Sequence, residues 1–207
     1  MTPYALSRVA TTVGLTLLAT TTATAQSLKP TLMDRDTEIA EALAAGPPII
    51  RDEAGVYVLT EGGYELARES RNGFHCLVGK SQPDSFEPQC LDAEGSKTLL
   101  KQILLRGERQ MRGDTAEQIQ EAIDAAWASG ELTAPAKSGI NYMLSTKNRV
   151  PVGGRVIDYV PHLMFYAPGL SESELGADRT GEGSPIFMVN PGQPTGYVIV
   201  PLPDYDD

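Results

Sequence analysis

The sequence is poor in the residues that build most catalytic and metal sites. Its 207 residues include two cysteines, two histidines and one tryptophan. A zinc site of the common kinds needs three or four nitrogen or sulfur ligands, so the chain is short of donors for one. It also lacks a G-x-S-x-G motif and a glycine-rich phosphate loop, since "GDTAEQ" has neither the lysine nor the spacing of such a loop. These absences predict a protein with no metal and no cofactor.

Basic clusters are missing as well. The chain has 17 Lys and Arg residues against 27 Asp and Glu residues, and its formal net charge is −10. A surface of this sign repels phosphate backbones and anionic lipid. The composition therefore argues against nucleic-acid partners and against docking on a membrane through a polybasic patch.

The N-terminus resembles a secretory signal. Arg8 is the only charge in "MTPYALSRVATTVGLTLLATTTATAQ", and small residues stand at Ala23 and Ala25, where a signal peptidase would cleave. Six threonines between Thr11 and Thr22 make the run a poor spanning helix. We therefore expect residues 1–25 to be a signal peptide and residues 26–207 to be a single domain. The mature protein would be periplasmic or extracellular, with no membrane segment after removal of the signal.

Export would place the only two cysteines, Cys76 and Cys90, in an oxidising compartment, where disulfides form. An even pair fourteen positions apart predicts one disulfide, which closes a loop of about 15 residues and contributes roughly 3 kcal/mol. The intervening "LVGKSQPDSFEP" has the composition of an irregular surface loop. The alternative is a reactive Cys76 with His75 as its base, but neighbours in a strand point to opposite faces.

Turn signals and hydrophobic periodicity predict strands around a helical middle. "DRDTEIAEALAAG" indicates a short amphipathic helix, and "GVYVLT", "GYELARES" and "GFHCLVG" indicate a three-stranded meander. A helix from Lys97 to Gly113 and a second one, capped by Asp114 and ending at Gly130, form the helical pair. Strand patterns return from Ile140 onward. The order favours an α+β fold with a mostly antiparallel sheet, a helical pair and a short N-terminal helix.

One strand mixes polar and apolar side chains and offers the best candidates for a binding pocket. In "PHLMFYAP", His162 and Tyr166 fall on one face of an extended chain. Tyr142 and Ser145 from "NYMLS" join this pocket if the two strands are neighbours. The simpler alternative is a buried histidine whose ring is bonded to a backbone carbonyl.

These observations leave two classes of function open. The first is a non-catalytic binding or interaction domain for a small ligand, a cell-wall component or a protein partner. The second is a secreted hydrolase with a pocket around His162. An enzyme needs His162 beside a second titratable group in an open cleft, whereas a binding domain can hold it in the core.

Several stretches resemble an uncharacterised family of exported bacterial proteins. They are "NGFHCLV", the second cysteine after a proline-containing loop, "YMLS" and "PHLMFYAP", in that order. The resemblance is to NGF-x-C, YM-x-S and PHLMF stretches, and it covers roughly Ala45 to Pro201. It implies export from a bacterium and one continuous domain, and it carries no known activity.

Overall fold

A computed structural model describes residues 28–176 and 185–205 of the chain. The predicted signal peptide lies outside these residues. The described part has an α+β fold with a mostly antiparallel sheet, as the sequence predicted. Its helices are α1 (Arg35–Leu43), α2 (Pro48–Arg51), α3 (Ala93–Lys97), α4 (Leu99–Met111), α5 (Ala116–Ser129) and α6 (Glu172–Leu175). Its strands are β1 (Gly55–Thr60), β2 (Gly63–Arg68), β3 (His75–Gly79), β4 (Glu87–Leu91), β5 (Ile140–Met143), β6 (Arg149–Val152), β7 (Arg155–Asp158), β8 (His162–Tyr166), β9 (Phe187–Val189) and β10 (Tyr197–Pro201).

Eight strands form one sheet in the order β2-β1-β3-β4-β5-β8-β10-β9, and β6 pairs with β7 in a separate hairpin. The predicted meander is wrong in one respect: β3 pairs with β1, in parallel, and not with β2. The reason lies in the segment after β2. Asn72 accepts a hydrogen bond from Phe74 N and donates one of 2.9 Å to the carbonyl of Ile50. The segment is thereby tied to α2, and β3 enters the sheet on the other side of β1.

Helices cover both faces of the sheet and divide its core in two. On one face, α1 packs over β1, β3 and β4, and its core includes Ala42, Val56, Cys76 and Cys90. On the other face, α3 and α4 pack over a cluster that includes Leu77, Leu91 and Tyr166. Helix α5 lies against α4 through Ile119, Ile123 and Ala126. Among the described helices, none has the length and apolar character needed to cross a membrane.

The helical pair is present, with small shifts at its N-termini. Helix α4 begins at Leu99 after the separate short helix α3. Helix α5 is capped by Thr115, which forms a capping box with Gln118, and not by Asp114 as predicted. Gly107 lets α4 approach the sheet closely, because a Cβ at this position would meet the ring of Tyr64 at 2.5 Å. This close approach sets the height of α4 above the sheet.

Cys76 and Cys90 form the predicted disulfide. They lie directly opposite each other in the antiparallel pair of β3 and β4, with their Cα atoms 4.0 Å apart. Residues 77–79 and 87–89 of the stretch between them belong to β3 and β4, and residues 80–86 connect the two strands. The prediction of an irregular surface loop is therefore correct for the 80–86 connection and wrong for the flanking residues, which are strand. The bridge joins two strands that are already hydrogen-bonded, deep in the α1-side core.

Candidate functional site

His162 lies in the interior of the protein. Its side chain is 3% exposed, and Nδ1 lies 2.9 Å from the carbonyl oxygen of Val160. The ring of Tyr159 packs edge-on against it, with centroids 5.0 Å apart. Burial lowers the pKa of His162, and the bond to Val160 opposes this shift. This is the arrangement of a neutral, hydrogen-bonded core histidine.

The four pocket candidates do not converge. Tyr166 packs into the α4-side core, whereas Tyr142 packs into the α1-side core on the opposite face of the sheet. Tyr166 donates a hydrogen bond of 2.8 Å to the carbonyl of Ile140, which ties β8 to β5. Ser145 is buried in the turn after β5, where its hydroxyl accepts a hydrogen bond from Lys147 N. Each of the four therefore has a structural role in a different place.

The alternative of a reactive Cys76 is excluded by the disulfide. His75 is also on the wrong face. It pairs with Leu91, whose side chain belongs to the α4-side core, while Cys76 lies in the α1-side core. Burial lowers the pKa of His75, which lies 5.6 Å from the ring of Tyr57. The pair therefore has no geometry for nucleophilic catalysis.

The structure instead places a cleft between α4 and the sheet, which we call the α4 cleft. It consists of two adjoining cavities that share Gln102, Arg106, Asn190 and Thr195. The inner lobe has a volume of about 350 Å³ and the outer lobe a volume of about 700 Å³. The inner lobe reaches the sheet at Glu87, Gln89, Met164 and Tyr197, and the outer lobe runs along α5 past Gln120, Asp124 and Trp127. Volumes in this range are typical of sites for small molecules.

Arg106 stands at the junction of the two lobes. Its guanidinium makes no hydrogen bond or ion pair with any side chain or carbonyl of the described residues. Burial lowers the pKa of Arg106, and Glu87 acts in the opposite direction. A partly desolvated guanidinium offers five N–H donors in a fixed plane, so this position favours an anion.

Gln102, one helical turn before Arg106, is oriented by the tryptophan. Trp127 Nε1 donates a hydrogen bond of 2.8 Å to Oε1 of Gln102. Because an indole nitrogen only donates, this bond fixes the side-chain oxygen of Gln102 toward Trp127. The amide NH₂ of Gln102 is then the group it can offer to a ligand. Gln102 and Arg106 together make the junction rich in donors.

A layer of buried amides supports the floor of the inner lobe. Gln110 is 1% exposed and donates a hydrogen bond of 2.8 Å to the carbonyl of Lys80. Asn141 is fully buried and donates one of 2.9 Å to Oε1 of Gln89. Burial raises the pKa of Tyr197 well above its ordinary value, with the side chain of Asn141 acting in the opposite direction. These bonds hold the lining residues in fixed orientations, as a preformed site requires.

Sequence reasoning assigned no chemistry to α4, and it therefore missed Arg106 and Gln102. Alternating charges along a helix are the ordinary pattern of a solvated face. A signal was nevertheless present. Ile103, Arg106 and Gln110 follow one another at helical spacing, so two polar residues continue the apolar stripe toward the sheet. Polar residues are mostly exposed in folded proteins, so polar residues on the inward stripe of a helix are the informative exception.

Within residues 28–176 and 185–205, no group of three or more His, Cys, Asp or Glu side chains is placed to hold a metal ion. No protein-family model matches the chain, and comparison with curated proteins and with solved structures finds no match.

Proposed function

We propose that this chain is an exported, non-catalytic binding domain, and that the α4 cleft holds a small ligand through an anionic group. The single observation that carries the proposal is Arg106, a partly buried guanidinium with no protein partner among the described residues. Leaving such a group unpaired costs free energy that a bound anion would recover.

The neighbouring cation in the inner lobe does not compete for this role. Lys80 donates a hydrogen bond of 3.0 Å to the carbonyl of Ser85, and its ammonium lies 4.9 Å from the centre of the Phe86 ring. Its ammonium is thus held by the Ser85 carbonyl and attracted by Glu38 and Glu87, so it already has protein partners. Arg106 remains the anchor for a ligand anion, with the amide NH₂ of Gln102 beside it.

Export is supported by the composition of the N-terminus and by the Cys76–Cys90 disulfide, which is typical of proteins that fold in an oxidising compartment. The hydrolase alternative depended on an accessible His162. That residue is buried and lines neither lobe of the α4 cleft, so no observation favours this alternative.

The proposal is tested by isothermal titration of the oxidised mature protein with 4-methylpentanoate, 3-phenylpropanoate, phosphate and sulfate. We expect saturable binding of at least one carboxylate. Arg106→Gln should weaken that binding about 10- to 100-fold, the usual loss when a charged hydrogen-bonding partner is removed. Arg106→Lys should recover part of it, since the charge returns without the planar fork.

Lys101→Gln is the matched control, because it makes the same change of charge on an exposed position of α4. It should leave binding unchanged. Absence of binding by these four anions and also by leucine and phenylalanine, or equal losses in Arg106→Gln and Lys101→Gln, would overturn the proposal. A preference for phosphate or sulfate over both carboxylates would identify an oxyanion site in place of a carboxylate site.

A further inference from the structure

We infer that the ligand of the α4 cleft carries an ammonium group as well as a carboxylate, so that it is a free amino acid with an apolar side chain or a close relative. This inference rests on the proposed function and adds a positively charged ammonium group to the ligand. It begins from two opposite charges, Arg106 and Glu87, that line the same inner lobe.

Arg106 and Glu87 influence each other electrostatically but do not form an ion pair. An arginine and a carboxylate that can meet in a partly buried space normally form a bidentate pair. Glu87 is instead held by Ser81, whose backbone N–H and hydroxyl both donate to Oε1 of Glu87. The bonds to Ser81 leave Oε2 without a donor among the described residues. Lys80 also lines the lobe and attracts Glu87, but its ammonium is bonded to the carbonyl of Ser85. The lobe therefore presents Arg106 and Glu87 as a cation and an anion that are not paired with each other.

A zwitterion satisfies both groups at once. Its carboxylate would accept from Arg106 and from the NH₂ group of Gln102, and its ammonium would donate to Oε2 of Glu87. A ligand with a carboxylate alone would leave Glu87 facing a second negative charge, which costs free energy at short range. The separation of the two protein charges thus selects against simple acids and simple amines.

The remaining walls of the inner lobe predict the rest of the ligand. Leu99, Ile103 and Met164 line it together with the rings of Tyr64 and Tyr197. An apolar side chain on the ligand would bury its surface there, with a gain of roughly 25 cal/mol per Å². The volume of about 350 Å³ lies at the lower end for sites of small molecules. An apolar amino acid fits these walls better than a long or highly charged ligand.

Matched probes separate the contributions of the two charges. Leucine, 4-methylpentanoate and 3-methylbutylamine share a branched apolar chain, and only leucine has both charges. Phenylalanine, 3-phenylpropanoate and 2-phenylethylamine form a second such set. We expect one of the two amino acids to bind at least 10-fold more tightly than both of its single-charge relatives in isothermal titration of the oxidised mature protein.

Glu87→Gln should abolish this preference and leave the affinity for the parent carboxylate unchanged or higher. The glutamine oxygen can still accept from Ser81, so the loop is kept. Glu121→Gln makes the same change of charge on the exposed side of α5 and should have no effect. The melting temperature of each variant reports whether the fold is intact.

The outcomes distinguish this inference from the proposal on which it rests. If the carboxylates bind as tightly as the amino acids, or Glu87→Gln keeps the preference, the inference is wrong and the anion site stands. If no probe binds and Arg106→Gln changes nothing, both are wrong. Binding of the amines alone would likewise contradict both.

Discussion

Glu38 of α1 accepts a hydrogen bond of 3.0 Å from the backbone N–H of Leu59 in β1. The parallel pair of β1 and β3 has only two register positions, at Gly55 and Val56, and the strands separate beyond them. On the β3 side of this gap, the hydroxyl of Tyr64 donates a hydrogen bond of 2.7 Å to the carbonyl of Val78. The carboxylate of Glu38 and the hydroxyl of Tyr64 therefore satisfy backbone groups that a longer pairing of β1 with β3 would have hydrogen-bonded. Buried backbone groups need such partners.

The burial of Glu38 predicts an unusual dependence of stability on pH. Desolvation raises the pKa of Glu38, against the opposing bond from Leu59. The folded state therefore binds this proton at a higher pH than the unfolded state, whose value is about 4.3. From Glu38 alone, the free energy of unfolding should rise as the pH falls from the raised folded value toward about 4.3.

Urea unfolding of the wild type and of Glu38→Gln over this pH range checks the prediction. Glutamine still accepts from Leu59 N but does not titrate, so the difference between the two proteins should change with pH. Glu121→Gln on the surface should track the wild type. A difference between wild type and Glu38→Gln that stays constant with pH would contradict the assignment.

Loss of the disulfide should destabilise the protein without changing the strand register. In the double variant Cys76→Ala, Cys90→Ala we expect the free energy of unfolding to fall by about 3 kcal/mol, the value for a loop of this length. The β3–β4 ladder itself remains, since the two strands pair over five positions. Chemical denaturation measures the loss. Addition of a reducing agent should lower the stability of the wild type but not of the double variant.

His162 should behave as a core residue. Replacement by Gln removes the hydrogen bond between the imidazole and the carbonyl of Val160 and the ring contact with Tyr159. We expect a loss of about 1 to 3 kcal/mol in the free energy of unfolding. Because burial lowers the pKa of His162, NMR of the wild-type ring should show no titration near the ordinary value of about 6.5. Titration at that value, together with a nearly unchanged stability of His162→Gln, would mean that the ring faces water.

Gly95 should tolerate no side chain. A Cβ there would overlap the hydroxyl of Tyr166, which is fixed by its bond to the carbonyl of Ile140. Gly95→Ala should therefore cost about 1 to 3 kcal/mol through overpacking, although alanine is the better helix former. Gly62→Ala, where the nearest contact is an ordinary 3.8 Å, is the control in thermal unfolding. Equal melting temperatures for the two variants would contradict the packing argument.

Local patterns in the sequence predicted the helical pair, the N-terminal helix and most of the strands, but not α2, the separate helix α3 or β4. Such patterns depend on residues close in the chain, as in the turn from Thr60 to Gly63, the end of α5 at Gly130 and the β6–β7 hairpin at Gly153 and Gly154. The partner of β3 was not predictable in this way. It depends on the bond between Asn72 and Ile50, which are 22 positions apart. Local periodicity carries no information on such a contact.

The candidate site shows the same division. Alternation correctly placed His162 and Tyr166 on one face of a strand, but it could not show that α4 covers Tyr166 or that Tyr142 lies on the other face. The lining of the α4 cleft comes from α4, α5, five strands of the main sheet, the β3–β4 connection, β6 and the chain between β9 and β10. Residues so distant in sequence meet only through the topology of the sheet.

The pairing of β4 with β5 has a consequence for how the protein opens. Only Cys90 with Tyr142 and Leu91 with Asn141 join the two strands in register, whereas β3 with β4 and β8 with β10 each pair over five positions. This junction, like the two-position pairing of β1 with β3, forms a short seam in the sheet. We expect amides beside such a seam to open together in hydrogen exchange. The α4 cleft crosses this seam, with Gln89 on one side and Met164 on the other. A ligand that contacts both is bound only while the seam is closed, so occupancy slows the exchange of amides on both sides together.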